Sequence, residues 1–156
     1  MGLDMYLSKK TYLNNWNFNS KEKQFNIIVK LNDEIYENIK PERIFLIVEE
    51  VMYWRKSNQI HKWFVENCQN GIDDCSEYYV SGDDLKKLYN MCKEVMEFNS
   101  EKTPQDILPT TSGFFFGDTE YNEFYYNDIK KTIKFLEEEM DSDGNINGYY
   151  FYQSSW

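Results

Sequence analysis

The spacing of hydrophobic positions changes along this chain, and the elements can be read from where it changes. Leu3, Met5 and Leu7 alternate with Asp4, Tyr6 and Ser8, a period of two that places the two sets on opposite faces of a strand. Rings and β-branched residues recur over 12–18 and 25–31, and the polar Asn-Ser-Lys-Glu-Lys stretch between them suits a hairpin connection. The first forty residues therefore read as a β-meander. From Pro41 the period lengthens. Pro41 suits the first turn of a helix, Glu42 favours its positive end, and Ile44, Val48, Val51 and Arg55 follow at helical spacing. Phe45, Ile47, Val51 and Tyr53 also alternate as a strand would, so residues 42–56 stay open between helix and strand.

A second helical run begins at Ser57, carries Ile60, Phe64 and Cys68 on one stripe, and stops at the capping pair Asn70-Gly71. Residues 76–80 predict a short strand. Ser81 then offers an N-cap with Asp84 three residues on, and Leu85, Leu88, Cys92 and Val95 keep one face of a helix over 82–98 apolar. Two of the three prolines fall within 99–113, which predicts a loop. After Gly117, Asp118 or Thr119 can cap a helix bearing Tyr121, Tyr125, Ile129, Leu136 and Met140. The tail from Gly148 to Trp156 is rich in rings and predicts a strand that buries the terminus against an earlier one. The fold class is α+β, a mostly antiparallel sheet of N-terminal strands and C-terminal tail packed against about three helices. At 156 residues the chain is read as a single globular domain over 1–156.

Charge narrows the partners. With 17 Lys+Arg against 27 Asp+Glu and a formal net charge of −10, the chain repels phosphate and lacks the driving force for generic duplex nucleic-acid binding. A basic protein surface suits it better. Aromatic residues make up 18% of the chain, 13 of them Tyr, more rings than an interior readily hides, so a Tyr-rich surface is expected. Cys68, Cys75 and Cys92 are odd in number without disulfide spacing, which points to a reducing, cytoplasmic setting. Asp4 and the pair Lys9, Lys10 interrupt the start, and no run reaches the roughly 18 apolar residues of a membrane helix, so no membrane association is expected.

Candidate chemistry gathers in four places. If one helix runs through 54–61, Trp54, Asn58 and His61, the only histidine, share a face beside Arg55. A ring plane, an amide and a group titrating near neutrality would there suit a planar ligand such as a nucleobase. The alternative is that His61 and Asn58 form a hydrogen-bonding pair on a half-buried helix. Asp73, Asp74 and Glu77 crowd Cys75, but neighbouring carboxylates weaken a thiolate nucleophile, and the cysteine spacing with a single histidine does not suit zinc. Asp141-Ser-Asp-Gly-Asn145 imitates the opening of a calcium loop, yet Ile146 and Tyr152 stand where glycine and glutamate belong, so a turn explains it better. Ser112-Gly-Phe-Phe-Phe-Gly117, followed by Asp118-Thr119-Glu120, reads either as a buried Phe strand between turns or as a loop whose Gly117 frees N–H groups for an anion. No metal, no cofactor and no catalytic triad is assigned.

Several blocks together carry a resemblance. They are the opening Met-Gly-Leu-Asp-Met-Tyr-Leu, residues 53–65 (Tyr-Trp-Arg-Lys-Ser-Asn-Gln-Ile-His-Lys-Trp-Phe-Val), Asp73-Asp-Cys75 with Glu77-Tyr78, Gly113-Phe-Phe-Phe-Gly117 with Thr119-Glu-Tyr121, and the closing Tyr152-Gln-Ser-Ser-Trp156. Over nearly its whole length the chain resembles a family of small, uncharacterised phage- and prophage-associated proteins. The resemblance implies a setting and transfers no catalytic residues. Two functions follow as expectations. The first is an accessory protein that binds a host protein and so inhibits a defence factor. The second is a binder of, or enzyme on, a small nucleotide-like ligand, with a pocket formed by Asp4, Trp54, Arg55, Asn58, His61, Ser112 and Thr119.

Overall fold

The alternation of Leu3, Met5 and Leu7 has its physical cause in a central strand, for in the computed structural model, which describes residues 2–13, 25–97 and 101–156, all three are fully buried. Strand β1 (Asp4–Tyr12) pairs antiparallel with β4 (Leu46–Arg55) on one side and β6 (Tyr149–Ser155) on the other, and β6 pairs with β5 (Tyr78–Val80). The sheet order β4-β1-β6-β5 gives the antiparallel α+β class expected, with the ring-rich tail buried inside the sheet. It is not a meander, because the described neighbours of β1 come from residues 46–55 and 149–155. The proposed hairpin connection at 19–23, and the expected strand 12–18 beyond Leu13, lie outside the described residues. Of 25–31 only Lys30–Leu31 is strand, β2, paired with β3 (Glu34–Ile35) across Asn32-Asp33, both at positive φ as a tight primed turn requires.

Residues 42–56 resolve as strand rather than helix. Only Pro41–Arg43 coils, as a single 3-10 turn, before β4 begins. The helical spacing of Ile44, Val48 and Val51 loses to a longer-range demand: β1 needs a partner whose Trp54 and Met52 face inward opposite Met5 and Leu7. The register slips between Leu7 and Ser8, and Val51 is the extra residue without a cross-strand partner. That bulge explains why Val51 fitted both periodicities.

The helices pack on the face that carries Met5, Leu7, Trp54, Tyr150 and Tyr152. Helix α1 (Asn58–Cys68) ends where Gly71 N–H bonds the Val65 carbonyl, with Asn70 and Gly71 both left-handed. Helix α2 (Gly82–Met96) is capped by Ser81, whose Oγ accepts from Asp84 N–H at 3.1 Å, and it buries the apolar face expected of it. The expected loop after it contains one short helical turn, α3 (Pro104–Ile107). Helix α4 (Glu123–Glu139) starts later than its sequence signals suggest. Asn122 is the cap, accepting from Phe124 N–H at 2.9 Å, while Asp118 is occupied by Glu120 N–H at 3.0 Å. No helix among the described residues is long and apolar enough to cross a membrane.

Gly82 fixes how closely α2 meets the chain entering β6. A Cβ there would lie 1.8 Å from the Ile146 carbonyl oxygen, an overlap only backbone movement relieves. Gly82→Ala is expected to cost about 2 kcal/mol, read as a lower denaturant midpoint with an unchanged slope. An unaltered midpoint would contradict this packing.

Candidate functional site

Period-two alternation leaves a second sheet face for which no described element supplies a cover. Tyr6, Tyr53, Tyr79, Tyr149 and Phe151 project from it, with Tyr12 at its far end; Tyr12, Tyr53, Tyr79 and Tyr149 are exposed and Tyr6 and Phe151 half-buried. The rings are ordered in pairs, Tyr6 with Tyr53 at 5.4 Å, Tyr12 with Tyr149 at 5.9 Å and Tyr79 with Phe151 at 5.8 Å between centroids. Lys10 lies 3.9 Å above the Phe151 ring and pairs with Glu77 at 2.5 Å. Asp4 accepts from the Tyr53 hydroxyl and lies 3.8 Å from Arg55 Nε; the bond to the carboxylate, then burial, hold the Tyr53 phenol above its ordinary range. Both cations of this face are thus answered by acids, while Glu49 and Glu50 on the outer strand β4 stay exposed.

The residues expected to form a ligand pocket separate. No single helix spans 54–61, because Trp54 ends a strand and α1 starts at Asn58. Trp54 is buried and donates from Nε1 to Thr132 Oγ1 at 2.8 Å. His61 is 1% exposed, with Nδ1 2.8 Å from the Tyr152 hydroxyl and Nε2 3.0 Å from Asp73 Oδ2. Burial keeps the Tyr152 phenol well above its ordinary pKa, so the hydroxyl keeps its proton for the bond it shares with Nδ1, and Nε2–H donates to the Asp73 carboxylate. His61 therefore spends both nitrogens on holding β6 and the 73–77 turn, not on Asn58. The Asp73 carboxylate also accepts from Trp156 Nε1 at 3.0 Å.

Asn58 has a different task. Its Nδ2 donates to the carbonyls of Phe116 at 3.2 Å and Asp118 at 2.8 Å, and its Oδ1 accepts from Thr111 N–H at 3.0 Å. One amide thus clips both limbs of the 110–118 segment to the start of α1. Within that segment Phe116 is buried against His61, at 5.1 Å between rings, while Phe114 and Phe115 are exposed. The segment is a loop, not a buried strand. Thr119 is exposed and gives its carbonyl to Thr110 Oγ1 at 3.0 Å, and Ser112 is likewise exposed on the same segment.

Beside this clip lies an open cavity of about 830 Å³, which Arg55, Asn58, Gly117 and Asp118 line. Asp4, Trp54, His61, Ser112 and Thr119 do not line it. Its remaining wall includes Lys56, Gln59, Asn122, Phe124, Lys130 and Lys131, which sequence reasoning passed over. The available signals were the Lys130-Lys131 pair and the absence of an acid in the first turn of α1.

The thiols and acidic turns are structural. All three cysteines are free, and burial, with Asp84 adding to it, pushes the Cys68 thiol up to about 12. Cys92 is buried and raised for the same first reason. Asp74 accepts from Ser76 N–H at 3.0 Å and from the Tyr78 hydroxyl, bonds that hold its carboxyl below the usual range. Asp141 accepts from Asp143 and Asn145 N–H, both at 2.9 Å, so the calcium-like stretch is a self-satisfied turn between α4 and β6. Among the described residues no three His, Cys, Asp or Glu side chains gather as metal ligands would. Comparison with protein-family models, with curated proteins and with solved structures returns no match.

Proposed function

We propose that this chain acts by binding a protein, with the ring-bearing face of its sheet as the docking surface. The observation that supports this is the row of paired rings, exposed or half-buried on the face opposite the one that carries the buried Met5, Leu7, Trp54, Tyr150 and Tyr152. Tyr and other rings give large contact area at little entropic cost and are favoured as interface anchors. The rings are preordered by their neighbours, which lowers the cost of docking further.

Charge specifies the partner's surface. A chain of net charge −10 whose docking face holds its two cations in ion pairs is complementary to a basic protein surface. With the phage and prophage setting that the resemblance implies, the partner is a protein of the host cytoplasm. A defence factor with a basic nucleic-acid-binding surface fits this chemistry, and an acidic domain seated there would inhibit it.

The test uses the full chain as bait in host lysate beside a Tyr79→Arg/Tyr149→Arg variant. Both positions are exposed, so the variant is expected to keep its unfolding midpoint. The wild type should retain a partner whose purified form binds at least roughly tenfold more weakly to the variant, and more weakly as salt rises from about 0.05 to 0.3 M. A partner bound equally by both proteins, or none retained by the wild type, overturns this reading.

A further inference from the structure

We propose that the cavity between the start of α1 and the face of α4 is a binding site for a small organic phosphate of mononucleotide size. Its walls present donors without acceptors. Gln59 is 3% exposed, and its Nε2 finds no acceptor among the described residues. A buried amide left so is costly unless something outside the chain completes it. The first N–H groups of α1, those of Asn58 and Gln59, also lack acceptors there, since Ser57 makes no side-chain cap and the first turn holds no acid. An uncapped helix start of this kind favours an anion.

Cations complete the picture. Lys56, Lys130 and Lys131 form no salt bridge among the described residues, and Arg55 makes only the long contact with Asp4 at 3.8 Å. Four of the 17 basic residues thus meet at one cavity of a strongly acidic chain. Gly117, left-handed at φ +89°, lets the loop approach Lys56, where a Cβ would come within 3.3 Å of the lysine's own.

Three acids in the wall, Asp118, Glu120 and Asp128, stand against its four cations. Asp118 is occupied by Glu120 N–H and by Asn122 Nδ2 at 3.3 Å. Burial raises the Asp128 carboxyl, with Ser57 and Lys131 pulling the other way, and Glu120 is exposed.

Size and shape select the rest of the ligand. A volume of about 830 Å³ lies in the range of small-ligand sites, about 300–1,000 Å³, far more than a bare phosphate fills. Phe124 in this wall is 75% exposed and offers a ring face to a planar group, and Asn127 adds an amide able to bond its edge.

The experiment is calorimetric titration of the full chain with AMP, GMP, CMP, UMP, adenosine and inorganic phosphate, at low salt. At least one nucleoside monophosphate is expected to bind with a dissociation constant below about 1 mM, and adenosine and inorganic phosphate at least roughly tenfold more weakly. Lys56→Glu and Lys131→Glu should each weaken that binding roughly tenfold or more while leaving the unliganded unfolding midpoint in place. Gln59→Leu should weaken it without a loss of fold, checked by circular dichroism. No monophosphate bound with a dissociation constant below about 1 mM, equal binding of inorganic phosphate, or binding unaltered in both lysine variants overturns the proposal. These substitutions touch none of the rings on the sheet face, so this outcome is independent of the protein-docking test.

Discussion

Trp54→Ala is expected to destabilise the fold by about 3–5 kcal/mol, lowering the thermal midpoint by roughly 10–15 °C for a domain of this size. The indole is 2% exposed at the end of β4. It meets Phe64 edge-on at 5.9 Å and Phe135 at 6.4 Å, so it joins α1 and α4 to the sheet. Its Nε1–H bonds the hydroxyl of Thr132, itself fully buried, which in turn donates to the Asp128 carbonyl at 2.8 Å. Alanine would remove both rings' partner and leave a cavity that helix and sheet cannot close together. Trp54→Phe keeps most of the packing and loses only the bond to Thr132, so it should cost about 1 kcal/mol. Thermal unfolding followed by circular dichroism separates the two. A Trp54→Ala midpoint within a few degrees of wild type would mean the indole is not a core residue and would return it to the ligand-stacking role its sequence context suggested.

That contrast shows where sequence reading succeeds on this chain and where it stops. Local signals were sufficient for β1, α1, α2 and β6. Ser81 caps, Leu85 to Val95 repeat at helical spacing, and Leu3, Met5 and Leu7 alternate, each for a reason within one turn or one strand. The strand β4 was not decidable locally, because its residues satisfy two periods and only the pairing with β1, some forty residues away in sequence, chooses between them. The candidate site failed for the same reason. Trp54, Asn58 and His61 are close in sequence, but the break at Ser57 turns the chain from strand to helix, sending the indole into the core, the amide to the 110–118 loop and the imidazole to Tyr152 and Asp73. Surplus rings were legible as composition. That six of them share one sheet face required the register of four strands.

Asn58→Leu should produce the second large effect, about 2–4 kcal/mol, by leaving one buried and two part-buried backbone groups without their partner while keeping the side chain's size. The carbonyls of Phe116 and Asp118 and the N–H of Thr111 all depend on this one amide, and Asn58 itself is 2% exposed. Leucine supplies neither donor nor acceptor, so the loop gains most by moving outward to hydrate these groups. Phe116, 7% exposed and packed on His61 and Trp156, would follow it. The expected result is therefore more than a lower midpoint. Amide exchange should rise over 110–118 and at His61, while β1 and α2, which make no contact through Asn58, keep their protection at equal stability. Asn58→Asp divides the alternatives further, since it retains the acceptor for Thr111 N–H but sets a carboxylate against two carbonyls and should be at least as damaging near neutral pH. Exchange that rises uniformly along the chain, or a midpoint unmoved by the leucine, would show that the loop is held by its rings and not by the amide.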